Sequence, residues 1–90
     1  MSVRVMNSSL LRKSIGEQEF VEVPAGSPLE CLQKLADRFP EMGFWIYDKT
    51  GEVRPQLWLF VNGQRIYAKE LNQRLNDGDE LRLLLALSGG

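Results

Sequence analysis

The chain contains no histidine and a single cysteine. Histidine is the side chain whose ordinary pKa lies nearest neutral pH, so the commonest general acid or base is missing. One cysteine forms no intrachain disulfide and, without histidine, no zinc site of the cysteine/histidine kind. A plant-type iron–sulfur cluster likewise lacks its set of thiolates. Cys31 lies between Glu30 and Leu32 in a stretch of helical periodicity, with no imidazole in the chain to activate it, and reads as a structural, part-buried residue. Self-contained catalysis is disfavoured. An excess of one charge sign is absent too: eleven basic side chains stand against twelve acidic ones, a formal charge of -1. Nothing in that balance draws the chain to nucleic acid or to anionic lipid.

Long apolar runs are missing as well. No stretch approaches the roughly 18 residues of a membrane span, and the N-terminus has no basic-then-apolar signal. The expectation is a cytoplasmic protein with neither a membrane nor a nucleic-acid partner. At 43% hydrophobic and 26% charged over 90 residues, the composition is that of one globular domain. A domain of this size hides only about 60% of the surface its unfolded chain exposes. Repeats, low-complexity tracts and linkers do not occur.

Val3 and Val5 alternate with Arg4 and Met6, the period of a half-buried strand. Residues 7–16, polar but carrying Leu10, Leu11 and Ile15, read as a loop or wide turn into a second strand over residues 17–23, where alternation puts Val21 and Val23 in the core. Ser27-Pro28-Leu29-Glu30 supplies an N-cap, a proline at the first helical position and a capping-box glutamate. The helix they open carries an apolar stripe of Leu29, Leu32, Leu35, Ala36 and Phe39, and Pro40 stops it. Phe44-Trp45-Ile46-Tyr47 is too apolar to stand free in water; a short helix or strand pinned by these aromatics is expected, then a turn at residues 48–51 and a loop. Leu57 to Val61 is a strand, Asn62-Gly63 a hairpin turn, and Gln64 to Tyr67 the return strand. Leu71 and Leu75 suggest a helical turn beneath the sheet; residues 76–79 are a tight turn, and the final strand runs over residues 80–87. Asp77 and Asp79 flank Gly78 and read as turn residues rather than as cation ligands.

Two strands, a capped helix, two strands, a helical turn and a closing strand make an α+β architecture: a mixed five-stranded sheet with one main helix packed across it, the order of a β-grasp, ubiquitin-like fold. Residues 1–87 form the domain and residues 88–90 a flexible C-terminal tail. If Val3, Val5, Leu59, Val61, Leu81 and Leu83 face the helix, alternation turns Met6, Trp58, Phe60 and Leu84 outward. With Leu87 at the strand end, they would share an open apolar face of the kind partners cover, flanked by Arg65 and Arg82. Gly89-Gly90 then follows this strand. Without Cβ atoms the pair can lie flat in a channel too narrow for side chains, and it presents a bare carboxylate. Such a pair arises by chance about once in 200 chains, so its weight depends on what precedes it.

What precedes it resembles a known family. Phe60-Val61-Asn62-Gly63, then Leu75-Asn76-Asp77-Gly78-Asp79-Glu80, then an apolar strand closing on Gly89-Gly90, is similar to the sulfur-carrier proteins of the MoaD/ThiS type. The strand order matches throughout; the motifs occupy about the last third. Leu85 and Ala86 stand where many members have proline with alanine or proline, and the aromatic insert at residues 44–47 with its loop is closer to the longer MoaD-like members than to ThiS. The resemblance implies a carrier rather than a catalyst, with no bound cofactor. A ubiquitin-activating-type adenylating enzyme would use ATP to join Gly90 to AMP. A persulfide-bearing sulfur donor would displace AMP to leave a thiocarboxylate, and a sulfur-accepting synthase would take that sulfur, for a molybdopterin-type cofactor first, for thiamin or a sulfur amino acid otherwise. Ser88 and Gly89 would carry Gly90 outward, the last five residues reaching about 17 Å when extended. The same adenylate passed to a lysine would make the chain a ubiquitin-like protein modifier.

Overall fold

The computed structural model describes residues 2–86, the side chains of Ser9 and Leu10 excepted. Strands β1 (Val3–Asn7), β2 (Phe20–Val23), β3 (Leu57–Val61), β4 (Gln64–Ile66) and β5 (Glu80–Leu85) form one sheet in the order β2-β1-β5-β3-β4. The sequence neighbours β1/β2 and β3/β4 pair antiparallel as hairpins, whereas β5 enters between them, parallel to β1 and antiparallel to β3. The last strand is therefore the middle one. It is zipped on both sides, and its inner residues Leu81 and Leu83 are fully buried.

Period-two alternation sets the register. Val3, Val5, Val21, Val23, Leu57, Leu59, Leu81, Leu83 and Leu85 are buried on one face, as their spacing requires, while Val61 is half-buried against the same core. The β3–β4 turn places Asn62 at φ 49° and Gly63 at φ 86°. Both angles are left-handed, as a two-residue hairpin turn whose twist matches its strands demands. In the turn before β5, Asp77 accepts from the Ser2 backbone N–H at 2.8 Å, and Asp79 accepts from the Asn76 N–H at 2.8 Å and from Asn62 Nδ2 at 3.2 Å. Both carboxylates are occupied in tying turns together.

The short helix α1 (Ser9–Arg12) and a 3₁₀ turn at Lys13–Ile15 occupy the segment expected to be a loop. Leu11 and Ile15, four apart, are fully buried there, which holds the backbone helical. The main helix α2 (Pro28–Arg38) begins where its cap requires: Ser27 Oγ accepts from the Glu30 N–H at 3.1 Å. The Glu30 carboxylate reaches one residue further back than a capping box specifies, accepting from the Gly26 N–H at 2.6 Å. Its buried stripe is Pro28, Cys31, Leu32 and Leu35; Phe39, half-buried, ends it and packs on the core.

Pro40 stops α2 and starts another helix. In α3 (Pro40–Ile46) the proline sits in the first turn, where its missing N–H costs nothing. So the sheet carries a second helix beside the one expected, packed against α2 and the 3₁₀ turn. The residues that pin α3 are Met42 and Ile46, both fully buried; Phe44 is 76% exposed and Trp45 40%. The expectation that the aromatics anchor this segment is corrected for Phe44 and Trp45: on a helix, burial follows the four-residue spacing of Met42 and Ile46, and the intervening rings fall on the opposite side, while Tyr47 just past the helix packs half-buried on the core. The helical turn expected at Leu71 and Leu75 is displaced to a 3₁₀ turn at Ala68–Glu70, though Leu75 is buried. Strand β5 ends at Leu85.

Candidate functional site

Pairing across the sheet converts the outward residues into a map. In one row crossing all five strands, Phe20 lies beside Met6, Met6 beside Arg82, Arg82 beside Phe60 and Phe60 beside Arg65. At the ordinary strand spacing this row is about 19 Å long. The next row, nearer the C-terminus, sets Trp58 against Leu84. The row on the far side is Glu22, Arg4 and Glu80. The outer face is thus graded: charged at the end remote from the tail, apolar with interleaved arginine at the end near it.

Met6, Trp58, Phe60 and Leu84 fall on this face together, as alternation foretold, and Leu84 is 39% exposed. No helix covers them among the described residues, because α2 and α3 both pack on the other side. Phe20 and Tyr67, exposed at 41% and 54%, enlarge the face beyond the sequence reading. Their signal was available: each is separated by an odd step from a core residue of its own strand or strand end, Phe20 from Val21 and Tyr67 from Ile66.

Of the two arginines expected to flank the face, Arg65 lies at its β4 edge, whereas Arg82 lies within it between Met6 and Phe60, because β5 is the middle strand. Arg82 is claimed by its own chain through Glu80, at 3.7 Å with the arginine exposed and the glutamate partly so, a pair of small energetic weight. Arg65 is instead clamped between rings, its guanidinium carbon 3.8 Å from the Trp58 centroid and 4.7 Å from that of Tyr67. Trp58 is its diagonal neighbour across the β3/β4 ladder and Tyr67 its same-face neighbour two residues on, the positions from which large side chains touch. Arg4 lies over Phe20 at 4.6 Å.

At the root of the tail, Leu57 pairs with Leu85, and the Ala86 N–H donates to the Gln56 carbonyl at 2.8 Å. Ala86 is the last described residue, so Leu87, Ser88, Gly89 and Gly90, with the domain boundary expected at residue 87, lie outside the described residues. Beside this root, Glu41, Phe44, Trp45, Arg54, Gln56 and Leu85 line an open, mainly apolar groove. Its aromatic wall is the exposed side of α3, and the Arg54 Nε donates to the Phe44 carbonyl at 2.9 Å across it.

Cys31 carries no functional chemistry in this setting. It is fully buried on α2, and burial first, with the neighbouring Glu30 carboxylate second, pushes its thiol up to about 12 against a smaller opposing pull from Lys34. The thiolate that a nucleophile needs is therefore scarce at neutral pH. Alkylation of the native protein is expected to run at least about a thousandfold slower than that of a free cysteine, because reagent reaches Cys31 only through opening of the core. The check is alkylation rate against denaturant concentration, which should follow the unfolding curve; fast labelling without denaturant contradicts the burial.

Solved structures match this architecture over nearly their whole length. Small archaeal modifier protein 1 from Methanosarcina acetivorans is 25% identical, with 99% of this chain and 96% of that one covered and a TM-score of 0.87. Its counterpart from Haloferax volcanii is 22% identical over 100% of both chains, TM-score 0.86. The chain has the β-grasp, ubiquitin-like fold. A further β-grasp match is the Amycolatopsis orientalis BexX/CysO complex, 24% identical over 98% of this chain and 99% of that one, TM-score 0.83. No family model and no curated protein sequence matches the chain. The fold expected from the order of β-grasp elements therefore stands on the backbone, and none of the described helices is long and apolar enough to cross a membrane.

Proposed function

We propose that the chain is a cytoplasmic sulfur carrier whose reacting group is the Gly90 carboxylate. The observation that carries this reading is the place of Gly89-Gly90 in the sequence: three residues separate it from the end of the central strand, whose outward side belongs to a face that is apolar and uncovered among the described residues. A carboxylate is a poor electrophile, so an ATP-using, ubiquitin-activating-type partner must activate it. A Gly90 oxygen attacks the α-phosphorus of ATP, pyrophosphate leaves, and an acyl-adenylate forms. The outer sulfur of a persulfide protein then attacks the carbonyl carbon and AMP departs. A second thiol cleaves the resulting S–S bond and leaves a thiocarboxylate. A synthase takes that sulfur, for a molybdopterin-type cofactor as first choice and for thiamin or a sulfur amino acid otherwise. The carrier itself holds no cofactor; ATP belongs to the partner. Absence of histidine and the muted thiol of Cys31 support a carrier in place of an enzyme.

A second reading, conjugation of the same adenylate to lysine amines, is favoured by the likeness to small archaeal modifier protein 1. Intact-mass measurement of the protein from its own cells separates the two. A species heavier by a sulfur-for-oxygen exchange at Gly90 is expected for carriage, and tail remnants joined to lysines for modification. If neither forms, in cells or with ATP and the adenylating partner, both readings fail.

A further inference from the structure

Among the cations of the outer face, Arg65 stands apart. Arg82 has Glu80, and Arg4 lies between Glu22 and Glu80 in the register. Arg65 makes no ion pair among the described residues, and its Nε is buried without a hydrogen-bond partner. A half-buried guanidinium would ordinarily keep its donors supplied by water or by a carboxylate. Here Trp58 and Tyr67 hold it flat from two directions, so the conformational freedom a long side chain must surrender on binding is already gone. Partial desolvation by the rings also strengthens its attraction for an anion. Its surroundings on the face are apolar, Phe60 alongside and Leu84 with Trp58 in the next row toward the tail.

We propose that Arg65 is the charged anchor of this face, and that its ligand is an Asp or Glu carboxylate on the adenylating partner that receives the tail. The proposal rests on the carrier reading and deepens it by naming the chemistry by which the partner recognises the domain. A planar guanidinium with fixed orientation meets a carboxylate in two parallel hydrogen bonds, a geometry an ammonium cannot reproduce. The charge gradient favours that partner: the two carboxylates of the sheet face, Glu22 and Glu80, lie in the row remote from the tail, and the tail-proximal rows present arginine and apolar side chains only. An acidic and apolar surface would approach these rows of the sheet face without meeting like charge, Glu41 lying off the face in the groove against α3. Arg65 is a positioning residue and touches none of the reacting atoms.

The test is steady-state adenylation, read as ATP–pyrophosphate exchange with the adenylating enzyme that charges the wild-type chain, comparing wild type, R65Q and R65K. R65Q is expected to raise KM for the carrier about 10-fold or more with kcat unchanged, since a charge-assisted contact is lost away from the reacting carboxylate. Wild-type KM should also climb with salt more steeply than that of R65Q. R65K, keeping the charge without the fork, should fall between the two, and it carries the test alone should R65Q not fold. KM values within about twofold of wild type for folded variants overturn the anchor while the carrier reading survives. A wild-type chain that no adenylating enzyme charges overturns the carrier reading, and the anchor with it.

Discussion

A chain shortened by Gly89 and Gly90 is expected to lose adenylation completely and to melt with the full-length protein. The two halves of that result have separate causes. Stability resides in the core between Val3 and Leu85, and the last described contact of the strand is the Ala86 N–H on the Gln56 carbonyl. The described core closes at Leu85, so the change in unfolding free energy should stay within about 0.5 kcal/mol. Activation is another matter. Two residues span about 7 Å when extended, and the shortened chain carries its carboxylate on a residue with a side chain instead of on Gly90. A displacement of about 1 Å in a reacting group already costs on the order of 100-fold in rate, so a deficit of this size leaves no measurable charging. Pyrophosphate exchange and a thermal melt on the same preparation read both quantities. Equal charging of the two chains would sink the carrier and modifier readings together and leave a binding module with an incidental Gly-Gly end.

Much of this architecture was legible because it is written in short-range physics. Val3 and Val5 betray a strand by their spacing; Ser27-Pro28 places a helix start to the residue; Asn62-Gly63 admits few alternatives to a tight hairpin. What escaped was structure held by tertiary burial. A four-residue helix has almost no intrinsic stability, and residues 9–15 are helical because Leu11 and Ile15 are pulled into the core. A signal did exist there: Gly16, at φ 72°, closes the segment as a left-handed helix cap. At residues 40–46 hydrophobicity misled. Phe44 and Trp45 have the larger rings, but the smaller Met42 and Ile46 own the inward positions, and the exposed rings build the groove at the tail's root instead. The candidate face was legible in outline, since Met6, Trp58, Phe60 and Leu84 follow from alternation alone. Its charge gradient was not, because that depends on which strands neighbour one another, and β5 lying between β1 and β3 is a long-range fact.

Leu83 and Leu84 are adjacent in sequence and opposite in role, and substituting each with alanine is expected to separate fold from function. Leu83 is fully buried in the central strand, paired with Leu59 on one side and with Asn7 on the other. Truncating it removes apolar contacts and leaves a cavity that strands zipped on both sides cannot collapse into, a loss of about 2–5 kcal/mol. A domain of this size has a total stability of about 5–13 kcal/mol, so Leu83→Ala should lower the denaturation midpoint severely, while whatever remains folded still engages the adenylating partner. Leu84, on the outer face against Trp58, should shift stability by no more than about 0.5 kcal/mol. Its truncation should instead weaken engagement, because Leu84 is the last outward-facing apolar side chain of β5. Denaturant unfolding and the KM for adenylation, measured on both variants, form a two-by-two comparison. The reverse pattern, a destabilised Leu84→Ala and a weakly binding but stable Leu83→Ala, would mean that β5 sits one residue out of register, with every face assignment inverted. Because the period of a strand is two, no intermediate register can reconcile the result: either the face beside the tail is the one carrying Met6, Trp58, Phe60 and Leu84, or it is the core.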